Sequence, residues 1–324
     1  MKWMQALLLV ATLSLNLNAA AQAPEWPAKP VRFVVPWPAG GLNDLIARAF
    51  NDRVGQSMGQ PVVTDFKAGA AGRIGVAEIA RTTPDGYTIG MGNLGPLTIH
   101  PTLYKQMPFD VKRDLVPVTM FAASPLVFVV SANAPFKTLA EFVNAARAQP
   151  GKYNYASVGL GSPQHLTFEL VQGSAGVQLE HIPYKGTTEF LPSLIAGEVH
   201  ASIDTLPLLL PHIQSGKLRA LAVTAGARVP QLPDVPTLQE LSLLDEPVLS
   251  WYALIVPART PKPIIDKLYR EYSAAAQTPE IKRLLNEQGL VYVPTTPEAF
   301  KASVERETQR WAKIIRDNRI EVAQ

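Results

Sequence analysis

Three glycine-bearing loops carry the residue types that could do chemistry in this sequence. They read PWPAGGLND at residues 36–44, GLGSPQH at 159–165 and YKGTTEF at 184–190, and each follows a β-rich run and precedes a helical pattern. Glycines let backbone N–H groups approach a ligand closely, and a helix start exposes unpaired N–H groups with a partial positive charge. Such loops can bind an anion without a fixed Arg or Lys. For any one loop alone, a role only in turns and caps stays open.

Four polar side chains in these loops could contact an anion, and each has a structural alternative. Asp44 either closes the first loop by capping its helix or orients a bridging water. Ser162 stands at a helix start, where one hydroxyl can cap the helix and also contact a ligand. His165 lies one turn further and faces either a cleft or the core. Lys185 either pairs with a ligand carboxylate or is solvated.

Further candidates stand where other β-rich runs end. Asn93 could donate to the far end of a ligand. Asp204, followed by Thr205, ends the run EVHASIDT. Its carboxylate would repel a second carboxylate unless it accepts a hydrogen bond from a ligand hydroxyl or ammonium. Trp37 and Trp251 fit either lobe packing, the simpler interpretation, or the walls of a cleft.

The same sequence argues against enzymatic and metal chemistry. It has no cysteine, which excludes a thiolate nucleophile, a disulfide framework and a zinc–thiolate site. The segment GLGSP places its serine one position away from a G-x-S-x-G elbow, and GAAGRIG lacks the dinucleotide-binding spacing. No pair with metal-binding helical spacing occurs among the histidines, which are His100, His165, His181, His200 and His212. We therefore expect no catalytic residues, no metal and no cofactor.

Composition predicts a globular protein of about two domains. The chain has 324 residues, of which 47% are hydrophobic and 18% are charged, so it is not disordered. Lys and Arg number 30 against 27 Asp and Glu, with no basic run, which argues against a nucleic-acid partner.

The N-terminus is typical of a secretory signal peptide. Lys2 precedes an apolar stretch at residues 6–15, and small residues follow it. The stretch is too short to span a bilayer, although an N-terminal anchor remains the alternative. Cleavage after Ala23 would leave Pro24 first, so we favour a signal peptide over residues 1–21. We expect the mature protein in the periplasm.

Strand-like and helical patterns alternate along the rest of the chain. β-rich runs at 29–37, 61–66 and 87–93 are separated by helical patterns, and the second half repeats the scheme from 125–131 onward. Such alternation predicts an α/β fold with parallel sheets covered by helices.

The order of these patterns predicts two lobes joined by crossing strands. A helix opened by Thr138 and Glu141 as a capping box belongs to the second half. The C-terminal third, with a helix after TPKP and a long one from residue 297 to about 319, looks like a return to the first half. We expect residues 22–123 plus 250–324 to form one lobe and residues 124–249 the other, with a ligand cleft between them.

The chain resembles the tripartite tricarboxylate transporter receptor family, the Bug-type extracytoplasmic solute receptors. The segments that carry the resemblance are KPVRFVVPWPAGGLNDLIAR, PDGYTI, HPTLY, FDVKRDLVPVT, YASVGLGSPQHL, HIPYKGTTEFLPSLIAGEV, LRALAVT, LPDVPTLQE and WYALIVPARTP. The resemblance implies a type II periplasmic-binding-protein fold, whose lobes are mostly parallel sheets flanked by helices and close on a small carboxylate. It also implies delivery of that ligand to membrane permease subunits, or recognition by a sensor protein.

The resemblance also implies a set of binding residues. In such receptors the first-lobe glycine loop and the second-lobe G-S-x-x-H loop hold the carboxylate, largely through backbone groups and bridging waters. The matching residues, joined by the position-based candidates above, are Trp37, Pro38, Ala39, Gly40, Gly41, Asp44, Asn93, Gly161, Ser162, His165, Lys185, Gly186, Thr187, Thr188 and Asp204.

Departures from the family pattern bear on the ligand's identity. The segment FKAGAAG places Phe66 where relatives carry a polar residue and Ala71 where they carry glycine, and Ser193 replaces an aspartate. We expect a dicarboxylate or tricarboxylate; an aromatic carboxylate or an acidic amino acid is the alternative, towards which Phe66 is a weak hint. We expect a monomer.

Overall fold

The computed structural model describes residues 26–321, so the predicted signal peptide lies outside the described residues. Nine strands form one continuous sheet in the order β2-β1-β3-β9-β4-β7-β5-β6, with β8 also paired to β4. Within residues 26–321, no helix is both long and apolar enough to cross a membrane. The α/β, two-lobed architecture predicted from the sequence is confirmed, because each half of the sheet has its own covering helices.

The first lobe is built on one half of this sheet. β1 pairs in parallel with β2 and β3, while β9 runs antiparallel to β3 and to the first part of β4. The strands are β1 (Val31–Val35), β2 (Val62–Phe66), β3 (Thr88–Asn93), β4 (Leu115–Ser131) and β9 (Leu249–Pro257). The helices are α1 (Leu42–Met58), α2 (Arg73–Arg81), α3 (His100–Leu103), α4 (Val111–Asp114), α9 (Lys262–Gln277), α10 (Pro279–Glu287) and α11 (Pro297–Asp317).

Apolar residues at helical spacing seat these helices on the sheet. Ile46, Phe50 and Val54 of α1 are fully buried, and the Phe50 ring stacks on Tyr272 of α9. On the other face, α11 buries Phe300 against Trp251 of β9. Helices of the C-terminal third therefore pack against α1 and β9.

The second lobe repeats this plan on the other half of the sheet. β5 pairs in parallel with β6 and β7, and the second part of β4 runs antiparallel to β7 and β8. The strands are β5 (Asn154–Ser157), β6 (Glu180–Pro183), β7 (Ala201–Thr205) and β8 (Leu218–Val223). The helices are α5 (Leu139–Ala148), α6 (Pro163–Ala175), α7 (Thr187–Ala196) and α8 (Leu206–Gln214). The parallel strands thus form the outer part of each lobe. The antiparallel pairs all involve β4 or β9, the two strands that run between the lobes.

Strand β4 joins the two halves. It is 17 residues long, whereas the sequence predicted a strand only over 125–131, because Pro117 and Pro125 interrupt the run. A proline has no N–H to donate to a neighbouring strand. Pro117 stands at a register shift between Pro117 and Thr119, and a second shift lies between Met120 and Ala122.

Candidate functional site

The first-lobe loop, residues 36–44, runs from the end of β1 into α1. Gly40 has φ +84°, a left-handed conformation that favours glycine. Its N–H donates to Oδ2 of Asp44 over 2.8 Å, and Asp44 also pairs with Arg48 one turn further along α1. Gly41 is the N-cap and no side chain caps it. Asp44 thus closes the loop through Gly40 and not by capping α1, and its role towards a ligand stays a prediction.

Trp37, a residue of this loop, packs against the hydrophobic core of the first lobe. Its ring lies against Gly72, where a side chain's Cβ would come within 2.9 Å of Cζ2. Gly72 ends the 3-10 turn Ala70–Gly72, in which Ala70 and Ala71 have φ of +48° and +51°. Two adjacent alanines therefore hold a backbone conformation that costs a residue with a Cβ about 1–2 kcal/mol.

Asn93 ties the end of β3 to the first loop. Its Nδ2 donates to Oδ1 of Asn43, in the first turn of α1, over 3.2 Å. Its Oδ1 is buried and has no hydrogen-bond partner among residues 26–321. Asn93 therefore lies beside the first-lobe loop with its amide N–H group bonded to Asn43 and its oxygen unpartnered, so the donor role predicted for it towards a ligand stays a prediction.

The second-lobe loop, residues 159–165, runs from the end of β5 into α6. Ser162 caps α6, because its Oγ accepts from the His165 N–H over 3.2 Å. The N–H of Gly161, whose φ is +76°, donates to Nδ1 of His165 over 3.1 Å. The Gly161 N–H is therefore already hydrogen-bonded within the loop, and through this bond the His165 ring fixes the conformation of the loop.

His165 is only 4% exposed and belongs to a stack of rings. Its ring centroid lies 4.2 Å from that of His181, and Ser157 Oγ lies 2.6 Å from Nε2 of His181. Burial lowers the pKa of His165 to about 4, and burial with the neighbouring His165 lowers the pKa of His181 to about 4, so both rings are neutral at pH 7. Sequence reasoning missed His181, since sixteen residues separate the two rings.

Asp204 is the centre of a second buried group. Its Oδ1 accepts from Nε2 of Gln164 over 2.8 Å and from the Thr205 N–H over 2.7 Å, and its Oδ2 accepts from the Thr187 hydroxyl. Burial raises its pKa, against the effect of these hydrogen bonds. Asp204 thereby joins the first turn of α6 to the first residue of α7. Gln164 was missed, although it stands inside the GSPQHL segment.

The third loop, residues 184–190, presents its candidates differently. Lys185 and Thr188 are exposed, and the Lys185 N–H donates to Oε2 of Glu189 over 2.5 Å. Gly186 is the N-cap of α7 with φ 174°, an extended conformation, and the Thr187 hydroxyl is committed to Asp204. Lys185 and Thr188 thus face solvent, whereas Thr187 belongs to the residues that are hydrogen-bonded to Asp204.

The three loops share one geometry. Each begins a helix of at least ten residues at the carboxyl end of a parallel strand, which are α1 after β1, α6 after β5 and α7 after β6. Helix starts carry unsatisfied N–H groups suited to an anion. In the part of the chain that the structure describes, no group of three or more His, Asp and Glu side chains could hold a metal ion. The arrangement suits recognition of a carboxylate by backbone groups.

Comparison with known proteins agrees with this geometry. Residues 46–320 match the protein family described as tripartite tricarboxylate transporter family receptor. Protein BugT of Bordetella pertussis is 36% identical over 303 residues, which are 93% of this chain and 93% of BugT.

Solved structures of similar proteins include two with carboxylates. A protein of R. palustris solved with adipate is 32% identical with a TM-score of 0.83, over 92% of this chain and 99% of that one. MatC from Rhodopseudomonas palustris, solved with bound malate, is 28% identical with a TM-score of 0.79, over 90% of this chain and the whole of that one, 100%. The structure of periplasmic binding protein BugD is 31% identical with a TM-score of 0.80, over 91% of this chain and 99% of that one.

Proposed function

The chain belongs to the tripartite tricarboxylate transporter receptor family, and we propose that it captures a small dicarboxylate or tricarboxylate in the periplasm. The observation that carries the proposal is the set of glycine-bearing helix starts, drawn from both lobes, at the carboxyl ends of parallel strands. Backbone N–H groups at such starts bind carboxylates well. The adipate and malate bound by similar proteins support the same ligand class.

The ligand is held by closure of the two lobes about the crossing strands. A ligand that contacts loops of both lobes binds the closed state more tightly than the open one and shifts the population towards it. The point where β4 changes partner from β9 at Pro125 to β7 at Leu126 is where this bending would occur. Membrane permease subunits of a tripartite tricarboxylate-type transporter then recognise the closed monomer and receive the ligand, which is not chemically changed.

The extents of the two lobes are part of the proposal. We place residues 22–123 plus 250–324 in the first lobe and residues 124–249 in the second, after removal of residues 1–21. The partners of β4 support these boundaries, because Pro125 pairs with Leu249 of β9 whereas Leu126 already pairs with Thr205 of β7.

A thermal-shift and calorimetric screen tests the proposal. The purified protein is heated with succinate, malate, adipate and citrate, and with benzoate and glutamate for the alternative ligand classes, and any hit is titrated. We expect a carboxylate to raise the melting temperature, since a ligand that binds only the folded state stabilises it. Incubation of each hit should return it unchanged.

Two loop variants locate the binding site. Gly41→Pro removes an N–H at the start of α1, and Ser162→Trp fills the loop before α6. We expect both to abolish ligand-induced stabilisation while leaving a folded protein. Thr138→Trp is the matched control, because Thr138 caps α5 in the same way as Ser162 caps α6. Unchanged affinity in both loop variants would refute the placement of the site.

A further inference from the structure

Behind the first-lobe loop lies a group of three side chains that the proposed function does not use: Arg73, His100 and Tyr104, here called the Arg73 cluster. The Arg73 guanidinium carbon lies 3.4 Å from the centroid of the Tyr104 ring, close enough for a cation–π contact. The His100 ring meets the same Tyr104 ring edge-on, with centroids 5.2 Å apart. The aromatic ring thus fixes the guanidinium and the imidazole side by side.

The charge of Arg73 is not neutralised by a carboxylate. No Asp or Glu among residues 26–321 forms an ion pair or hydrogen bond with it, and its Nη1 is buried without a hydrogen-bond partner. A guanidinium has five N–H donors in a rigid fork, and leaving a charged donor unsatisfied away from water is costly. The fork matches the two oxygens of a carboxylate.

His100 completes this arrangement with a neutral donor. It is only 3% exposed, and its Nδ1 has no hydrogen-bond partner in the described part of the chain. Burial, together with the nearby Arg73 charge, lowers the pKa of His100 to about 3, so the imidazole is neutral at pH 7. A neutral imidazole adds one N–H donor without adding a second positive charge.

The Arg73 cluster adjoins the first-lobe loop. Arg73 is the first residue of α2, and the preceding Gly72 lies so close to the Trp37 ring that a Cβ there would stand 2.9 Å from Cζ2. Gly72 is equally close to Pro96, in the π-helical turn Gly95–Ile99 that leads into His100 and α3. Arg73 therefore follows directly on the residue that contacts Trp37, in the loop that is proposed to hold a carboxylate.

We propose that Arg73, assisted by His100, binds the second carboxylate of a dicarboxylate and makes this receptor selective for dianionic ligands. The inference rests on the proposed function, in which backbone groups hold the first carboxylate. It adds a charged side chain to a site otherwise built from amides. Tyr104 acts as a positioning residue, because it holds the guanidinium without needing to touch the ligand.

Matched ligands and variants test this inference. Isothermal titration calorimetry compares the dicarboxylates succinate, malate and adipate with the monocarboxylates butyrate and hexanoate. The variants are Arg73→Gln and Arg73→Lys, with Arg53→Gln as a control that removes the same charge at an exposed position in the middle of α1. The melting temperature of each protein without ligand reports whether it is folded.

We expect the wild type to prefer dicarboxylates and Arg73→Gln to lose about 10- to 100-fold in affinity for them, the contribution of a hydrogen bond to a charged group. Affinity for the monocarboxylates should change less than about threefold, since those ligands make only the backbone contacts. Arg73→Lys keeps the charge but not the fork, so its loss for dicarboxylates should be intermediate. Arg53→Gln should bind as the wild type does.

The outcomes separate this inference from the proposed function. If no carboxylate binds the wild type, the proposed function is wrong. If carboxylates bind without preference for dicarboxylates, or if the preference survives in Arg73→Gln, the role of Arg73 is overturned while the receptor function stands. Should Arg73→Gln fail to fold, Arg73→Lys decides, because an unchanged dicarboxylate preference with lysine would equally overturn recognition by the guanidinium fork.

Discussion

The two lobes hold their loops in shape by different means. In the first lobe, the left-handed backbone of Gly40 and one carboxylate, Asp44, close the loop, and Asp44's ionic partner Arg48 is largely exposed. In the second lobe, the buried side chains of Asp204 and His165 bond directly to the residues that begin α6 and α7. Removing a partner from a buried hydrogen-bonded group lowers the free energy of unfolding more than a change in the backbone conformation of a glycine does. We therefore expect the second-lobe loops to be held more firmly than the first-lobe loop.

Replacing the two aspartates should expose this difference most strongly. We expect Asp204→Ala to lower the free energy of unfolding by about 4 kcal/mol, because two buried donors and the half-buried Thr187 hydroxyl lose their acceptor. Asp44 is also buried, but its donors Gly40 and Arg48 are exposed and can bond to water instead, so Asp44→Ala should cost only about 1 kcal/mol. Urea unfolding followed by circular dichroism measures both. Equal losses would mean that the loops are not held differently.

Acid should weaken the second lobe through His165. Its pKa is about 4 in the folded protein against 6.5 for an exposed histidine, so the unfolded chain takes up a proton first as the pH falls. Stability is therefore complete above about pH 6.5 and is lost as the pH approaches 4, by about 2 kcal/mol between pH 7 and pH 5. Urea unfolding at pH 7 and at pH 5 measures this loss. In His165→Phe the difference in free energy of unfolding between the two pH values should be smaller by about 2 kcal/mol. If the free energy of unfolding of His165→Phe fell with pH as steeply as that of the wild type, this would contradict the burial of a neutral His165 ring.

A single methyl group tests the backbone of the first-lobe loop. Gly40→Ala should lower the free energy of unfolding by about 1 kcal/mol, the cost of a left-handed alanine. A Cβ at Gly40 would meet no atom within 4 Å, so the effect is conformational and not steric. Gly186→Ala is the matched control in the third loop, because Gly186 is extended and its Cβ would also meet nothing. A larger loss at Gly186 than at Gly40 would contradict this interpretation.

The smallest expected effect is an increase in stability, at Ala71. Ala71 has φ +51°, and Ala71→Gly should raise the free energy of unfolding by about 0.5 kcal/mol once the greater freedom of unfolded glycine is subtracted. The melting temperature measured by calorimetry reports the gain. A decrease would mean that the alanine methyl group makes favourable contacts that outweigh the strain.

Features with local causes could be predicted from the sequence. Ser162 and Thr138 begin α6 and α5 as expected, because an N-cap hydroxyl acts on an amide three residues away. The capping box at Thr138 differs in one detail, since the Glu141 carboxylate accepts from the Lys137 N–H. The run LPLLLPHIQ hid helix α8, because its two prolines and continuous apolar residues leave no helical periodicity to detect.

Features that join distant segments could not be predicted. Gln164 and Asp204 are 40 residues apart, and only the adjacency of β5 and β7 brings them together. A sequence places Asp204 at the end of a strand but does not say that three donors will enclose it. Arg73 was overlooked for the same reason, because its partners His100 and Tyr104 lie beyond the next strand.

The position of β9 has a consequence for the order of folding. β9 inserts between β3 and β4, both of which precede the second lobe in the chain, while β9 follows it. While the chain emerges N-terminus first, β4 to β8 can therefore assemble among themselves before β9 fills its place between β3 and the early part of β4. Unpaired edges invite association with other chains, so the nascent protein is most vulnerable to aggregation until its last quarter emerges.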